Sequence, residues 1–231
     1  MIVALDLDWT EESLRPQLTD FSLRGPSVPR NAQLLTKNIE MLTVHHLGVS
    51  QGERVVWLCE ELGLDYKIVK HTRAPLGSPE SLKSIPGNEL GTSPFIEDDS
   101  NGVRLSESGA VLEYLATKYG DGRLMLKPDD AHYADYLQWF HYANGTLQPA
   151  QMHYGFMGLA GVAKDNAISQ LMLQRLEKRF GAVDTHLGNT KFLAGDSLTL
   201  ADMMTVYSLT TQRYWWASSP IHAKLEICPD T

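Results

Sequence analysis

Leu42-Thr-Val-His-His46, Leu47-Gly-Val-Ser50 and Gln51-Gly-Glu-Arg-Val-Val-Trp-Leu-Cys-Glu-Glu-Leu-Gly63 read as a short strand, a junction and a helix. In the helix, Val55, Leu58, Cys59 and Leu62 recur at i, i+3, i+4 and i+7, while Glu53, Glu60 and Glu61 take the other side. Ser50 is a residue type favoured at helix N-caps, and Gly63 is a type favoured at the left-handed residue that ends a helix. A hydroxyl is therefore expected at the N-terminus of a helix that begins at Gln51. Unpaired N–H groups and the positive end of the helix dipole favour an anion at that point. Ser50 also has a purely structural reading, as the cap of its own helix, and only the rest of the chain separates the two.

Downstream, Asp65-Tyr-Lys-Ile-Val-Lys70 alternates polar and apolar residues as a second strand does. Strand, helix and strand in so short a span predict a right-handed βαβ unit with parallel strands. Residues 71–92 carry Pro75, Gly77, Pro79, Pro86, Gly87 and Gly91, which leave room only for a short helix around Pro79 to Ile85 capped by Ser78. Pro94–Asp99 and Val103–Leu105 flank Asn101-Gly102, a strong hairpin signal, so two antiparallel strands are expected to join the pair. A helix follows from Ser106 to Tyr119, with Val111, Leu112, Leu115 and Tyr119 on one face.

Residues 121–130 are polar, hold Gly122 and Pro128, and read as a linker between a first domain (41–120) and a second (131–231). Three apolar series then predict helices: Tyr133, Tyr136, Leu137 and Phe140 in one long helix; Ile168, Met172, Leu176, Phe180 and Val183; and Leu200, Met203, Met204 and Tyr207. Thr199 and Asp202 have capping-box spacing at the start of the third. Residues 1–40, with Pro16, Pro26 and Pro29, show neither period and are expected to be a disordered extension. The tail from Ile221 to Thr231 has little helical pattern, so the helical domain is expected to be cut short.

The chain has 231 residues, 43% of them hydrophobic, enough for a sizeable core. Its 20 basic against 28 acidic side chains give a net charge of −8. That balance offers no basic surface for a nucleic-acid backbone. No apolar run of membrane length or signal-peptide pattern is present, and the two cysteines, Cys59 and Cys228, stand far apart. A reducing, cytoplasmic setting is expected, with no nucleic-acid or membrane partner. The histidines lack paired ligand spacing, so no metal site is expected.

A small sheet domain with a hydroxyl at a helix N-terminus, followed by an all-helical domain, resembles the glutathione transferase family. Five stretches carry the likeness in the family's order, from Met41 to about Trp216. Ser50–Gly63 is similar to the serine-type transferases of bacteria and fungi. Gly91-Thr-Ser-Pro94 is similar to the loop before the family's cis-proline. Leu105-Ser-Glu-Ser-Gly-Ala-Val-Leu-Glu-Tyr-Leu115 is similar to its glutamate-serine motif. Trp139-Phe-His-Tyr-Ala-Asn-Gly145 and Thr199-Leu-Ala-Asp202 are similar to helical-domain signatures.

The resemblance implies a thioredoxin-like α/β N-terminal domain, an all-α C-terminal domain and glutathione as co-substrate. It implies that Ser50 donates to the glutathione sulfur and that Ser93, before a cis Pro94, offers backbone groups to the cysteinyl part. Ser108 would hold the γ-glutamyl carboxylate, with Glu107 near the ammonium, and Thr92 stands where the family often has a lysine for the glycyl end. Trp139, Tyr142, Tyr154, Tyr214 and Trp215 are the candidates for an apolar pocket holding a hydrophobic electrophile, although aromatic residues at helical spacing are more often simply core. Conjugation or peroxide reduction and a homodimer follow from the likeness. The alternatives are a non-catalytic binding or regulatory module on the same fold, or a glutathione-dependent isomerase.

Overall fold

β1 (Leu42–Leu47) is buried along its whole length, although only alternate residues of a one-sided strand would be. The reason is its place inside a four-stranded sheet of order β2-β1-β3-β4. β2 (Tyr66–His71) pairs with it in parallel, and β3 (Phe95–Asp98) antiparallel. β4 (Val103–Ser106) closes the sheet antiparallel to β3, across a turn in which Gly102 takes the left-handed φ of 71°. These are the pairings that the βαβ unit and the Asn101-Gly102 signal predict. The computed structural model describes residues 42–74 and 77–210. The expected extension (1–40), Cys228, the tail, and the pocket candidates Tyr214 and Trp215 lie outside them.

α1 (Gly52–Leu62) buries Val55, Val56, Leu58, Cys59 and Leu62 and ends at Gly63, whose φ of 66° lets Gly63 and Leu64 donate back to the Glu60 and Cys59 carbonyls. It starts one residue later than the sequence predicts. Gln51 occupies the cap position, and Ser50 Oγ accepts from the Gly52 N–H. α2 (Glu80–Lys83) is shorter than expected and Ser78 does not cap it; the Ser78 hydroxyl donates instead to the Gly91 carbonyl. α3 (Ser108–Lys118) begins two residues after the expected Ser106, which belongs to β4.

Asp98 at the end of β3 anchors the hairpin to α3. Its buried carboxylate accepts from Ser100, Tyr114 and Tyr119 and pairs with Lys118. Burial by itself would raise this carboxyl, but those hydrogen bonds overcome it and hold the pKa at about 2.

The connection after α3 is docked to both halves. Arg123 donates to the Leu62 carbonyl at 2.7 Å, and the Leu200 N–H donates to the Leu124 carbonyl at 2.8 Å. All described residues fall in one compact unit. The long helix expected from Tyr133 is α4 (Tyr133–Tyr142), a π-helical segment (Ala143–Leu147) and α5 (Gln148–Leu159). Pro149 has no N–H for the Gly145 carbonyl, and its ring crowds that oxygen, so the ladder changes register just before it.

α6 (Ala167–Leu187) and α7 (Leu200–Thr210) complete the helical part. Its core holds Tyr136, Trp139, Phe140, Leu176, Phe180, Val183, Met203 and Met204; Leu137 and Ile168, members of the apolar series that predict these helices, are exposed. Thr199 and Asp202 form a capping box in which Asp202 also accepts from the Leu193 N–H, tying the preceding loop to α7. Among the described residues no helix is long and apolar enough to cross a membrane.

Candidate active site

Two chain segments meet at the start of α1. The β1–α1 turn delivers Ser50, and the loop before β3 delivers Ser93, joined to Pro94 by a cis peptide bond. The Ser50 and Ser93 hydroxyl oxygens are 3.0 Å apart. Each also accepts a backbone N–H, from Gly52 at 3.1 Å and from Leu47 at 3.2 Å respectively. Val49, immediately before Ser50, has a φ of 52°, which is strained for a β-branched residue. Arg73 holds that turn by donating to the Gly48 and Val49 carbonyls.

Gly52 is the only residue type that fits its place. A Cβ there would lie 2.8 Å from His46 Nδ1 and 3.1 Å from both serine oxygens. Gly52→Ala should therefore displace Ser50, cost about 1–3 kcal/mol of stability as overpacking does, and lower any activity that depends on Ser50. Chemical denaturation alongside turnover reads both effects; an unaltered variant would mean that the turn yields easily.

His46, at the end of β1, is neutral at ordinary pH. Burial pushes its pKa down to about 4, Lys70 adds to the effect, and a hydrogen bond with the Gly52 backbone opposes it. Since the unfolded imidazole titrates near 6.5, the unfolded chain takes up the proton first. Stability should be full above about pH 6.5 and fall by about 3 kcal/mol as pH drops towards 4. Urea denaturation across that range measures it, and His46→Gln should flatten the slope; an unchanged slope would assign acid lability to other groups.

A second cluster surrounds Arg54, which is 1% exposed. Its guanidinium donates to Gln51 Oε1, to Ser108 Oγ and Asn144 Oδ1 at 2.8 Å, and to Gln148 Oε1 at 3.3 Å, and lies 5.1 Å from the centre of the Tyr207 ring. Each of these four acceptors is a neutral oxygen. Burial pulls the pKa down to about 9, so the group still carries its charge at neutral pH. A buried, positively charged group thus stands beside the first turn of α3, where Ser108 is placed.

Ser108 Oγ is fully engaged: it donates to Gln51 Oε1 at 2.7 Å and accepts from Arg54 and from Asn144 Nδ2 at 3.0 Å. What α3 offers an incoming carboxylate is its first-turn N–H groups, backed by this cation. Glu107 precedes it with φ 69° and ψ 112°, a conformation that costs about 1–3 kcal/mol, and its exposed side chain makes no cap hydrogen bond.

Ser50, Ser93, Pro94 and Ser108 are thus placed in the two clusters, linked through Gln51, which follows Ser50 and contacts Ser108. Thr92 is turned away. Its N–H and hydroxyl both donate to Asn88 Oδ1 at 3.0 Å, so its hydroxyl proton is committed to the loop. Trp139 is 4% exposed, packed against Tyr142 and His186, and the Tyr142 hydroxyl donates to the Arg179 carbonyl. Both are parts of the α4–α6 contact. Tyr154 is half-buried on α5. A cavity of about 210 Å³ between the π-helical segment, α5 and α6 is lined by Thr146, His153, Met172 and Arg175 and by none of these aromatics.

Sequence reading missed Arg54, Gln51, Asn144 and Gln148. Arg54 had a signal: it stands four residues before Leu58, on the buried stripe of α1, where a charge calls for partners. Asn144 lies in the Trp139–Gly145 stretch that resembles a helical-domain signature, but nothing within that stretch says that it meets Arg54. Among the described residues, no group of three or more His, Cys, Asp or Glu side chains is arranged to hold a metal ion.

Comparison with known proteins agrees along most of the chain. Residues 45–123 match the glutathione S-transferase N-terminal domain and residues 150–225 the C-terminal domain. Glutathione S-transferase 3 of Schizosaccharomyces pombe is 27% identical over 78% of each chain. The disulfide-bond oxidoreductase YfcG of Escherichia coli is 29% identical over 71% of this chain and 76% of its own. The structure of a glutathione transferase family member from Pseudomonas fluorescens, with two glutathione bound, superimposes with a TM-score of 0.66 at 22% identity, covering 83% of this chain and 86% of that one.

Proposed function

This chain belongs to the glutathione S-transferase family, and from that premise we propose that it binds glutathione with the thiol at Ser50 and uses it, as the thiolate, against a small hydrophobic electrophile or a peroxide. The observation that carries the reading is the Ser50 hydroxyl at the start of α1, its oxygen already accepting from the Gly52 N–H. An ordinary thiol titrates near 8.5, so only a few per cent is ionised at neutral pH. One hydroxyl donor and the helix dipole together lower that value by about two units, or about 2.7 kcal/mol in favour of the anion. The proton leaves to solvent.

In conjugation, the sulfur lone pair forms the C–S bond while the leaving group departs with its bonding electrons. In peroxide reduction, two glutathiones give a disulfide while the peroxide gives an alcohol and water. Ser50 acts as a donor throughout, neither nucleophile nor base. The γ-glutamyl carboxylate goes to the first turn of α3 beside Ser108 and Arg54, with its ammonium near Glu107. The backbone of Ser93, before Pro94, pairs with the cysteinyl part, and Thr92, whose hydroxyl proton goes to Asn88, has none for the glycyl carboxylate.

Calorimetric titration with glutathione, followed by turnover on electrophiles and peroxides, tests the reading; no binding at millimolar glutathione would sink it. A second reading, exchange of the thiolate with a disulfide, is favoured by the likeness to a disulfide-bond oxidoreductase. There the thiolate attacks one sulfur and expels the other as thiolate, so mixed disulfides belong in the same panel. The family likeness also carries an isologous homodimer. Light scattering at micromolar concentration should give twice the chain mass, and a monomer would contradict it.

A further inference from the structure

The Ser50–Ser93 hydroxyl pair has a direction. Ser93 Oγ accepts from the Leu47 N–H and Ser50 Oγ from the Gly52 N–H, and the two oxygens lie 3.0 Å apart. One hydroxyl must donate to the other. If Ser50 donates, its proton is spent on Ser93 and it has nothing for a sulfur anion. If Ser93 donates, both lone pairs of Ser50 are filled, by Gly52 and by Ser93, and the Ser50 proton is the group left to point outward.

Resting on the reading that Ser50 faces the glutathione sulfur, we infer that the Ser93 side chain is a positioning residue, which hands its proton to Ser50 so that the Ser50 proton is presented to the thiolate. The resulting chain runs from the Leu47 N–H through Ser93 and Ser50 to the sulfur. Its far end is a backbone group at the end of β1, so the sheet sets the orientation. Each donation polarises the next, which strengthens the last bond. The assignment differs from the backbone role of Ser93, because it lives in the hydroxyl alone. A bland role exists: the same hydroxyl ties the Leu47 N–H to the loop before β3, and a tie of that kind affects stability without touching the thiol.

The test compares Ser93→Thr, which keeps a hydroxyl, with Ser93→Val, which has the same shape without one, each alone and combined with Ser50→Ala in the full chain. The readouts are the pKa of bound glutathione by thiolate absorbance, turnover and the glutathione dissociation constant. Ser93→Val should raise the bound thiol's pKa by about half a unit to one unit and lower turnover about three- to tenfold, the size of one hydrogen bond, with affinity changed less. Ser93→Thr should stay near the parent. In the Ser50→Ala background, Ser93→Val should add nothing to the pKa, because the relay has lost its outlet.

Equal pKa values for the Thr and Val variants, or a full additional shift in the Ser50→Ala background, would overturn the relay while leaving Ser50 in place. Should Ser50→Ala alone move nothing, the underlying reading fails instead. Ser93→Ala replaces Ser93→Val if the latter does not fold. If neither folds, the hydroxyl is structural and the relay is rejected.

Discussion

Ser50→Ala should lower turnover about 10- to 100-fold at neutral pH, since a hydrogen bond to a charged group contributes roughly 1.5 to 3 kcal/mol. The loss is partial because the α1 dipole remains. Glutathione affinity should change less, since the contacts at α3 and in the loop before β3 are separate from the hydroxyl. The bound thiol should titrate closer to its value in water, and raising the pH should recover part of the rate. The change also takes an acceptor from the Gly52 N–H, at a cost of about 1 kcal/mol in stability, so denaturation is measured in parallel. A folded variant with the parent's thiol pKa and turnover would reduce Ser50 to a structural group of its own turn.

Arg54→Met should destabilise the protein by about 2–6 kcal/mol, since it leaves two oxygens, Asn144 Oδ1 and Gln148 Oε1, without the donor they have. Two effects oppose one another. Removing the guanidinium relieves a large desolvation cost, but it takes a donor from Asn144 Oδ1, Gln148 Oε1, Gln51 Oε1 and Ser108 Oγ. Each buried oxygen left without a partner costs about 1–3 kcal/mol. The losses win because Met fills the volume and supplies no donor. Ser108 loses part of its hold, so glutathione should bind about tenfold more weakly in whatever fraction stays folded. Arg54→Lys should not rescue, because a point charge cannot serve four oxygens spread around a planar fork. Equal stability of the Met variant would mean that the desolvation cost outweighs the bonds.

The local signals were those that a few neighbouring residues complete among themselves. The apolar stripe of α1, the left-handed Gly63, the Asn101-Gly102 turn and the Thr199–Asp202 capping box all appear in the fold. The differences arise where a residue has two local options and a distant partner chooses between them. Ser78 could cap α2 but donates to Gly91. Ser106 could cap α3 but extends β4, because β3 lies beside it. Leu137 and Ile168 fit a helical period yet are exposed, since periodicity marks a face but not whether a neighbour covers it.

In the candidate site, what was legible in the sequence is local placement: the hydroxyl at the start of α1, the loop before Pro94 and the Glu107-Ser108 start of α3, because the residues of each lie close together along the chain. Only the tertiary structure decided that Ser93 meets Ser50, residues 43 positions apart, and that Thr92 turns inward to Asn88. It alone brought Arg54 to Asn144, 90 positions away. A buried polar group must be satisfied wherever the folded chain supplies a partner, and that supply depends on which strands and helices pack together, which no local window contains.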